Sequence, residues 1–384
     1  MISAETLDSA VAAGVISPAQ RDRLHAMERA AAGATVPAGS VDSDENLRLI
    51  GGGNDLFVTV GTLLLTAGFY FVLTTTLQGH TFWIAGAFAV FAWVIAEIVT
   101  RQHRMKLAST VLALVFTAAM TVVLGLIVDA RYQIRMPDSI WQLLALRGPV
   151  AEAGYLLLGG LIVAALVYFW RFRVPILAGV IAIAATLLAF LQTALLLYDG
   201  VTNGAIAAPS IQEMPEMLRA ALYMPLVCGI VVFAVGVALD LHDRERRTVW
   251  SDCAFWLHVV SAPMLVHPLF IMATGQDVVF GDIEPGNDAT VMLAILILGF
   301  VYVALAIDRR SLLVPTLAYF GTLGIYYLVN SAANSTGIPA FAIILLVVGG
   351  LIILFGAGWQ RIRRLIVRPT LPTSVLDRLP PFKA

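Results

Sequence analysis

The sequence contains little charge. Aspartate, glutamate, lysine and arginine make up 13% of the 384 residues, whereas apolar residues make up 59%. Because soluble globular domains contain about 25% charged residues, this composition excludes an ordinary soluble enzyme and indicates a chain that crosses a membrane several times. The sequence has no basic soluble domain, and its formal net charge is −1. We therefore expect the lipid bilayer, and no nucleic acid, as a partner.

Cysteine and the usual site motifs are also scarce. Cys228 and Cys253 both fall in apolar runs, where we expect reduced thiols that pack as small apolar residues. The sequence has no Cys/His pattern for zinc or haem, no HExxH motif and no GxxxxGK phosphate loop. We therefore predict no metal and no cofactor, and we assign no catalytic residue. The N-terminus also lacks the charged-then-apolar pattern of a cleavable signal peptide.

What the sequence does contain is a series of long apolar runs after residue 54. Each is close to the roughly 20 residues that a helix needs to cross the hydrocarbon of a bilayer. The ten runs lie near 55–77, 81–99, 107–128, 151–170, 174–198, 218–240, 253–274, 288–307, 311–331 and 338–358. The division between the fourth and fifth runs depends on Arg171 and Arg173, because such charges are costly to bury in hydrocarbon. We predict an all-α integral membrane protein with about ten transmembrane helices.

Basic residues in the loops predict the orientation of these helices. With the N-terminus inside, the inside segments carry Arg101, Arg104, Lys106, Arg171, Arg173, Arg244, Arg246, Arg247, Arg309, Arg310, Arg361, Arg363, Arg364 and Arg368. The outside loops are neutral or acidic, except for 129–150, which contains Arg131, Arg135 and Arg147. Since lysine and arginine concentrate in cytoplasmic loops, we expect both termini to be cytoplasmic.

The two ends of the chain form separate predicted regions around the bundle of residues 55–358. Residues 1–54 are expected to form a small cytoplasmic helical hairpin and linker. Within the hairpin, Gly14 ends one helix, and Ser17 to Gln20 supply the N-cap and capping box of the next. Residues 359–384 are a basic, proline-containing cytoplasmic tail that begins with arginines favouring anionic lipid headgroups.

The seventh run has the most unusual composition for a membrane span. It begins at Asp252, interpreted as a helix start, and contains His258 and His267 with Pro263 and Pro268, which disturb helical hydrogen bonding. The histidines are nine residues apart, so they lie on opposite faces of an ideal helix, which argues against a shared metal. Each histidine either hydrogen-bonds a neighbouring helix or takes part in a proton relay or ligand contact. His267 lies deeper and is the better candidate for the second role.

The other candidates for a substrate or proton path are Glu97 and a polar stripe in the ninth run. Arg101 follows Glu97 at i+4, which favours an ion pair near the cytoplasmic face; a coupling-ion carboxylate is the alternative. Tyr319, Tyr326 and Asn330 recur on one helix face. They either line a polar cavity, or Tyr326, Tyr327 and Asn330 belong to the aromatic belt at the outer surface.

Small and polar residues predict contacts between helices. Glycines seven residues apart mark smooth faces in three runs, at Gly61/Gly68, Gly229/Gly236 and Gly349/Gly356. Gln192 and Thr193 are isolated polar groups in the fifth run, where we expect interhelical hydrogen bonds. Asp55 is interpreted as the start of the first spanning helix.

Three segments of the sequence resemble known proteins. The segment LDSAVAAGVISPAQ, from Leu7 to Gln20, leads into a glycine-rich first span and resembles a family of uncharacterised prokaryotic multi-pass membrane proteins with a short N-terminal domain of unknown function. The segments ENLR…NDLF (45–57) and FWLH…AP…HP (255–268) are similar to bacterial proteins described only as hypothetical membrane proteins. The resemblance implies a multi-pass protein of a bacterial inner membrane. It implies no activity and no site residue.

Three classes of function remain open. A transporter or permease for a small solute or ion leads, because of the number of spans, the proline-broken seventh helix and its buried ionisable groups. A non-catalytic scaffold or sensor is the alternative, with residues 1–40 binding a cytoplasmic protein partner. A membrane-embedded enzyme acting on lipid-linked substrates is less favoured, since it requires His267 to converge with a carboxylate such as Glu152 or Asp129.

Overall fold

A computed structural model describes most of the predicted bundle. The described residues are 53–134, 146–207, 220–243, 246, 248–274, 287–313 and 340–376, together with residues 11, 13–15, 17–21 and 379. The chain divides into two compact units, Met1–Asn46 and Leu47–Ala384.

The first unit contains the local turn and cap that its sequence predicts. Gly14 has a left-handed backbone with a φ of +70°, which an L side chain rarely adopts. The Ser17 N–H donates to Gln20 Oε1 at 2.8 Å, and the Gln20 N–H donates to Ser17 Oγ at 3.2 Å. This reciprocal pair is a capping box, and the predicted helix start at Ser17 is confirmed. The rest of the predicted hairpin lies outside the described residues.

The second unit is built from helices, and no strand occurs among its described residues. The helices are α1 (Gly53–Thr76), α2 (Thr81–Gln102), α3 (Lys106–Tyr132), α4 (Arg147–Phe172), α5 (Ile176–Thr202), α6 (Tyr223–His242), α7 (Val249–Thr274), α8 (Asn287–Ala306), α9 (Ala340–Thr370) and the short α10 (Thr373–Leu376). Seven of them, α1 to α7, are long and apolar enough to cross a membrane. The prediction of an all-helical multi-pass membrane protein is confirmed to this extent. Helices α8 and α9 occupy the eighth and tenth predicted runs, and the ninth run lies almost entirely outside the described residues.

The predicted division between the fourth and fifth spans is confirmed. Helix α4 ends at Phe172, and Arg173 takes a left-handed backbone with a φ of 53°. An L-residue in this conformation stops the helix because its N–H closes a turn onto an earlier carbonyl, here that of Phe169. Helix α5 then begins with its own first turn at Ile176.

Apolar packing forms two cores in this unit. The first joins α2, α3, α4 and α5, and its centre is an aromatic group of Trp93, Phe116, Tyr168 and Phe172. The second joins α7, the end of α8, the 3₁₀ turn at Arg310–Leu312 and α9. Helix α7 also packs against α5 and α6, so α7 is the element that connects the two cores.

The glycine-face prediction holds for one pair and is wrong for another. A Cβ atom added at Gly229 or Gly236 would lie about 3 Å from side chains of α7, so these glycines allow α6 and α7 to approach closely. At Gly61 and Gly68, no described atom lies within 4 Å of an added Cβ. The reason is that α1 packs through a different face, on which Asp55, Thr59 and Thr62 are buried. Gly349 likewise has open space around it in the described part of α9.

The expectation of a broken seventh helix is also wrong. Helix α7 continues from Val249 to Thr274 with Pro263 and Pro268 inside it. Membrane helices tolerate proline where neighbouring helices and hydroxyl side chains satisfy the freed carbonyl groups. Asp252 lies in the first turn of α7, as its interpretation as a helix start predicts.

Candidate functional site

Three ionisable side chains meet in the interior where α6 and α7 approach the segment that follows α8. They are Asp240 in the last turn of α6, His258 in α7 and Arg309 beyond the end of α8. Only 7%, 0% and 3% of their respective surfaces are exposed. Burial of charge is costly unless each charge is paired and hydrogen-bonded, so their partners decide whether this arrangement is stable. We call these three residues, with Ser251, the Asp240 cluster.

Arg309 satisfies both oxygens of the Asp240 carboxylate. Its Nε donates to Asp240 Oδ2 at 2.9 Å and one terminal nitrogen donates to Oδ1. The same terminal nitrogen reaches Ser251 at the start of α7, at 3.0 Å from its carbonyl oxygen and 2.9 Å from its hydroxyl. This two-pronged geometry matches the planar guanidinium to the carboxylate. Arg309 therefore ties α6, α7 and the segment after α8 together.

His258 completes the cluster from the other side of the carboxylate. Its Nε2 lies 2.9 Å from Asp240 Oδ2, so a carboxylate held ionised by Arg309 requires the proton on Nε2. The ring is enclosed by Gly236 and by the Phe233 ring, whose centroid is 5.2 Å away. Its Nδ1 is buried and has no hydrogen-bond partner among the described residues. In the neutral ring this nitrogen carries the lone pair, and it is the one atom of the imidazole ready to take a proton.

The net charge of the Asp240 cluster depends on whether His258 is protonated. With His258 neutral, one carboxylate balances one guanidinium. A proton on Nδ1 would place two cations against a single carboxylate at a site closed to water. The other buried carboxylates of this region are occupied elsewhere, because Asp243 accepts from Thr248 and Asp308 faces α9. Among the described residues, neither of these carboxylates is placed to offset a second positive charge in the Asp240 cluster.

A second cluster begins at the residue next to Arg309. Asp308 Oδ1 accepts from the Trp359 indole at 2.7 Å, and the guanidinium of Arg246 donates to the Asp308 carbonyl at 2.7 Å. Arg363 donates from its Nε to the Leu305 carbonyl at 2.9 Å. Asp308 has a left-handed backbone with a φ of 56°, which turns its side chain and that of Arg309 toward different helices. The pair Asp308-Arg309 thus joins the Asp240 cluster to α9.

The structure places the sequence-predicted residues in separate environments. His258 lies in the Asp240 cluster, whereas His267 is exposed on α7, as the opposite-face geometry predicts. Glu97 forms ion pairs with Arg101 at 3.4 Å and with Arg171 at 2.7 Å, at the ends of α2 and α4. Tyr319, Tyr326 and Asn330 lie outside the described residues. Of the described candidates, His258 is the one that lies in the Asp240 cluster, and a path through His258, His267 and Glu97 stays a prediction.

Sequence reasoning missed the two partners of His258. In the sequence, Asp240 is a single aspartate at the end of the sixth predicted run, and Arg309 is one of several cytoplasmic loop charges. A usable signal was present, since an aspartate that ends one span and a histidine inside the next span can meet across a short turn. The contribution of Arg309 had no such signal, because 69 positions separate it from Asp240.

The described carboxylates do not form the enzyme site considered from sequence. Glu152 and Asp129 are both exposed, and the hydrogen bonds and ion pairs of the described residues join neither to His267. No group of three histidine, cysteine, aspartate or glutamate side chains in the described part of the chain is placed to hold a metal ion. Cys228 and Cys253 are both free thiols, as predicted.

Other predicted polar contacts are present between helices. The Tyr155 hydroxyl of α4 donates to the Gln192 side chain of α5. Thr193 lies 3.6 Å from the Met224 sulfur of α6. Arg147 at the start of α4 forms an ion pair with Asp199 near the end of α5. A basic residue of a loop predicted to lie outside is therefore neutralised by an acidic residue.

Comparison with known proteins leaves the site as the main guide to function. No protein-family model, curated protein or solved structure matches the chain.

Proposed function

We propose that this protein is a transporter for a small solute or ion, in which protonation of His258 controls the packing of α6, α7 and the segment after α8. The observation that carries the proposal is a fully buried histidine with one nitrogen on a shared carboxylate and the other without a hydrogen-bond partner in the described structure. Ionisable groups inside membrane bundles commonly mark ion paths and proton relays.

Two states follow from the chemistry of the cluster. When His258 is neutral, Arg309 holds Asp240 and Ser251 together and the bundle is closed at this end. When His258 is protonated, the imidazolium competes with Arg309 for Asp240, and the excess positive charge favours entry of water. Such a ligand-driven change occurs only if the open state binds the proton more tightly than the closed state does.

The site belongs near the cytoplasmic side in the proposed topology. We place the protein in a bacterial inner membrane with both termini in the cytoplasm, following the arginine distribution. His258 is five residues into the predicted seventh span, or about 8 Å along a helix. In this topology Asp240 and Arg309 lie at the cytoplasmic boundary, Tyr319 belongs near the middle of the predicted ninth span, and Tyr326 and Asn330 belong toward its outer end.

The experiment measures water access next to His258 as a function of pH. Ser261 is fully buried one turn from His258, and its hydroxyl donates to the His258 carbonyl at 3.1 Å. Ser261→Cys is introduced with Cys228→Ala and Cys253→Ala, and a membrane-impermeant maleimide is added to either side of sealed vesicles. Because maleimide reacts with the thiolate, each labelling rate is divided by that of the denatured protein at the same pH. We expect this ratio, from the cytoplasmic side, to be higher at pH 5.5 than at pH 8, with the difference lost in His258→Gln.

A matched position separates a water path from general exposure. His267→Cys in the same background reports the exposed face of α7, and labelling there from one side would extend the path to the middle of the span. If Ser261→Cys reacts from neither side at either pH while the protein remains folded, the proposal is wrong.

A scaffold or sensor is the second candidate. It is favoured by the separate compact unit Met1–Asn46 with its capped helix start, which is suited to binding a cytoplasmic partner. Deletion of residues 1–40 distinguishes the two. A scaffold loses its cellular function with α1 to α9 intact, whereas the pH-dependent labelling of Ser261→Cys persists in a transporter.

A further inference from the structure

The cytoplasmic extension of α9 has two chemically different faces. Trp359, Arg363 and Val367 recur every four residues and are buried against the segment 305–313 and its neighbours. This face fixes the extension to the rest of the unit. It leaves the opposite face of the helix without a protein neighbour in the described structure.

That opposite face is cationic. Arg361 and Arg368 are exposed, Arg364 is partly exposed, and all three fall within about 60° around a helix with 3.6 residues per turn. Leu365, which follows Arg364 in the sequence, borders these arginines on the helix surface and is an apolar side chain with 76% of its surface exposed. None of the three arginines forms an ion pair in the described structure, and Arg364 donates only to the Gln360 carbonyl, at 3.4 Å. We call these four residues the basic face.

The depth of the basic face suits a membrane surface. The tenth predicted span ends near residue 358, and α9 continues without interruption to Thr370. Arg361, Arg364 and Arg368 therefore lie about 5, 9 and 15 Å past the end of the hydrocarbon. The basic face thus begins in the headgroup layer of about 5–8 Å, and an anionic surface attracts basic residues out to about a Debye length, or about 8 Å, beyond it.

We propose that the basic face binds phospholipids with a net negative headgroup. The guanidinium groups pair with phosphate oxygens. An acidic protein or a nucleic acid would match the charge, but neither accounts for a face that begins at headgroup depth. This inference depends on the predicted tenth span and is independent of the transporter proposal.

The test uses purified full-length protein in detergent, mixed with equal amounts of phosphatidylglycerol and phosphatidylcholine, and counts bound lipids by native mass spectrometry. Each arginine near an anionic surface contributes about fivefold in affinity. We therefore expect the wild type to select phosphatidylglycerol, and the triple variant Arg361→Gln/Arg364→Gln/Arg368→Gln to lose that selectivity by about tenfold to a hundredfold.

The matched control replaces the same three arginines by lysine. It retains the charge, so it should retain most of the selectivity. If the glutamine variant does not fold, the three single variants are measured instead, each with an expected loss of about fivefold. The proposal fails if the wild type binds both lipids equally, if the glutamine variant keeps the preference, or if a short DNA duplex displaces the bound lipid.

Discussion

The Asp240 cluster predicts a large loss of stability when Arg309 is changed to glutamine, and a smaller loss when Asp240 is changed to asparagine at the same time. The substitution removes the ion pair to Asp240 and two hydrogen bonds to Ser251. It leaves a carboxylate that is only 7% exposed with neutral His258 as its remaining partner in the cluster. Removing one partner of a buried ion pair costs about 3–5 kcal/mol. Changing Asp240 to asparagine as well removes the uncompensated charge, so the double variant should recover about 2–3 kcal/mol of that loss.

The measurement is reversible unfolding in mixed detergent micelles, followed by far-ultraviolet circular dichroism. The control is Arg101→Gln, because Arg101 also forms an ion pair but its side chain is 60% exposed. An exposed pair contributes about 0–1 kcal/mol. The reasoning would be refuted if Arg309→Gln destabilised the protein no more than Arg101→Gln does. It would also be refuted if the losses from Arg309→Gln and Asp240→Asn simply added in the double variant.

Two further predictions use the same unfolding assay. Asp55 accepts the N–H groups of Lys106, Leu107 and Ala108 at the start of α3, so Asp55→Ala should cost about 1–3 kcal/mol; a loss no larger than that from exposed Asp129→Ala would contradict this. The buried Tyr168 hydroxyl has no hydrogen-bond partner in the described structure, so Tyr168→Phe should leave stability unchanged or raise it by up to about 1 kcal/mol. Tyr155→Phe, which loses the bond to Gln192, should cost about 1 kcal/mol, and equal losses in both tyrosine variants would show that the Tyr168 hydroxyl has a partner.

Features with a local cause could be predicted from the sequence. The long apolar runs locate α1 to α7 because spanning a bilayer requires a minimum length of apolar helix. The capping box at Ser17 and the helix end before Arg173 depend on residues within four positions of each other. The opposite environments of His258 and His267 follow from the angle between successive helical residues.

Features that depend on which helices become neighbours could not be predicted. Asp55 lies in the first turn of α1, as its interpretation as a helix start predicts, but the sequence did not indicate that its carboxylate also caps α3, about 50 positions later. Gly61 and Gly68 have the same spacing as Gly229 and Gly236, but the first pair faces away from the described neighbours of α1. A spacing pattern identifies a face of a helix; only the arrangement of the bundle decides whether another helix covers that face.

The order of residues in the Asp240 cluster has a consequence for biosynthesis. Asp240 is made first, His258 follows 18 residues later and Arg309 follows 69 residues later. At about 5–20 residues per second, Arg309 reaches the membrane about 3–14 s after Asp240. During that interval His258 is the one member of the cluster that can contact the Asp240 carboxylate. The link that Arg309 makes between α6, α7 and the segment after α8 is therefore completed only after α8 has been made.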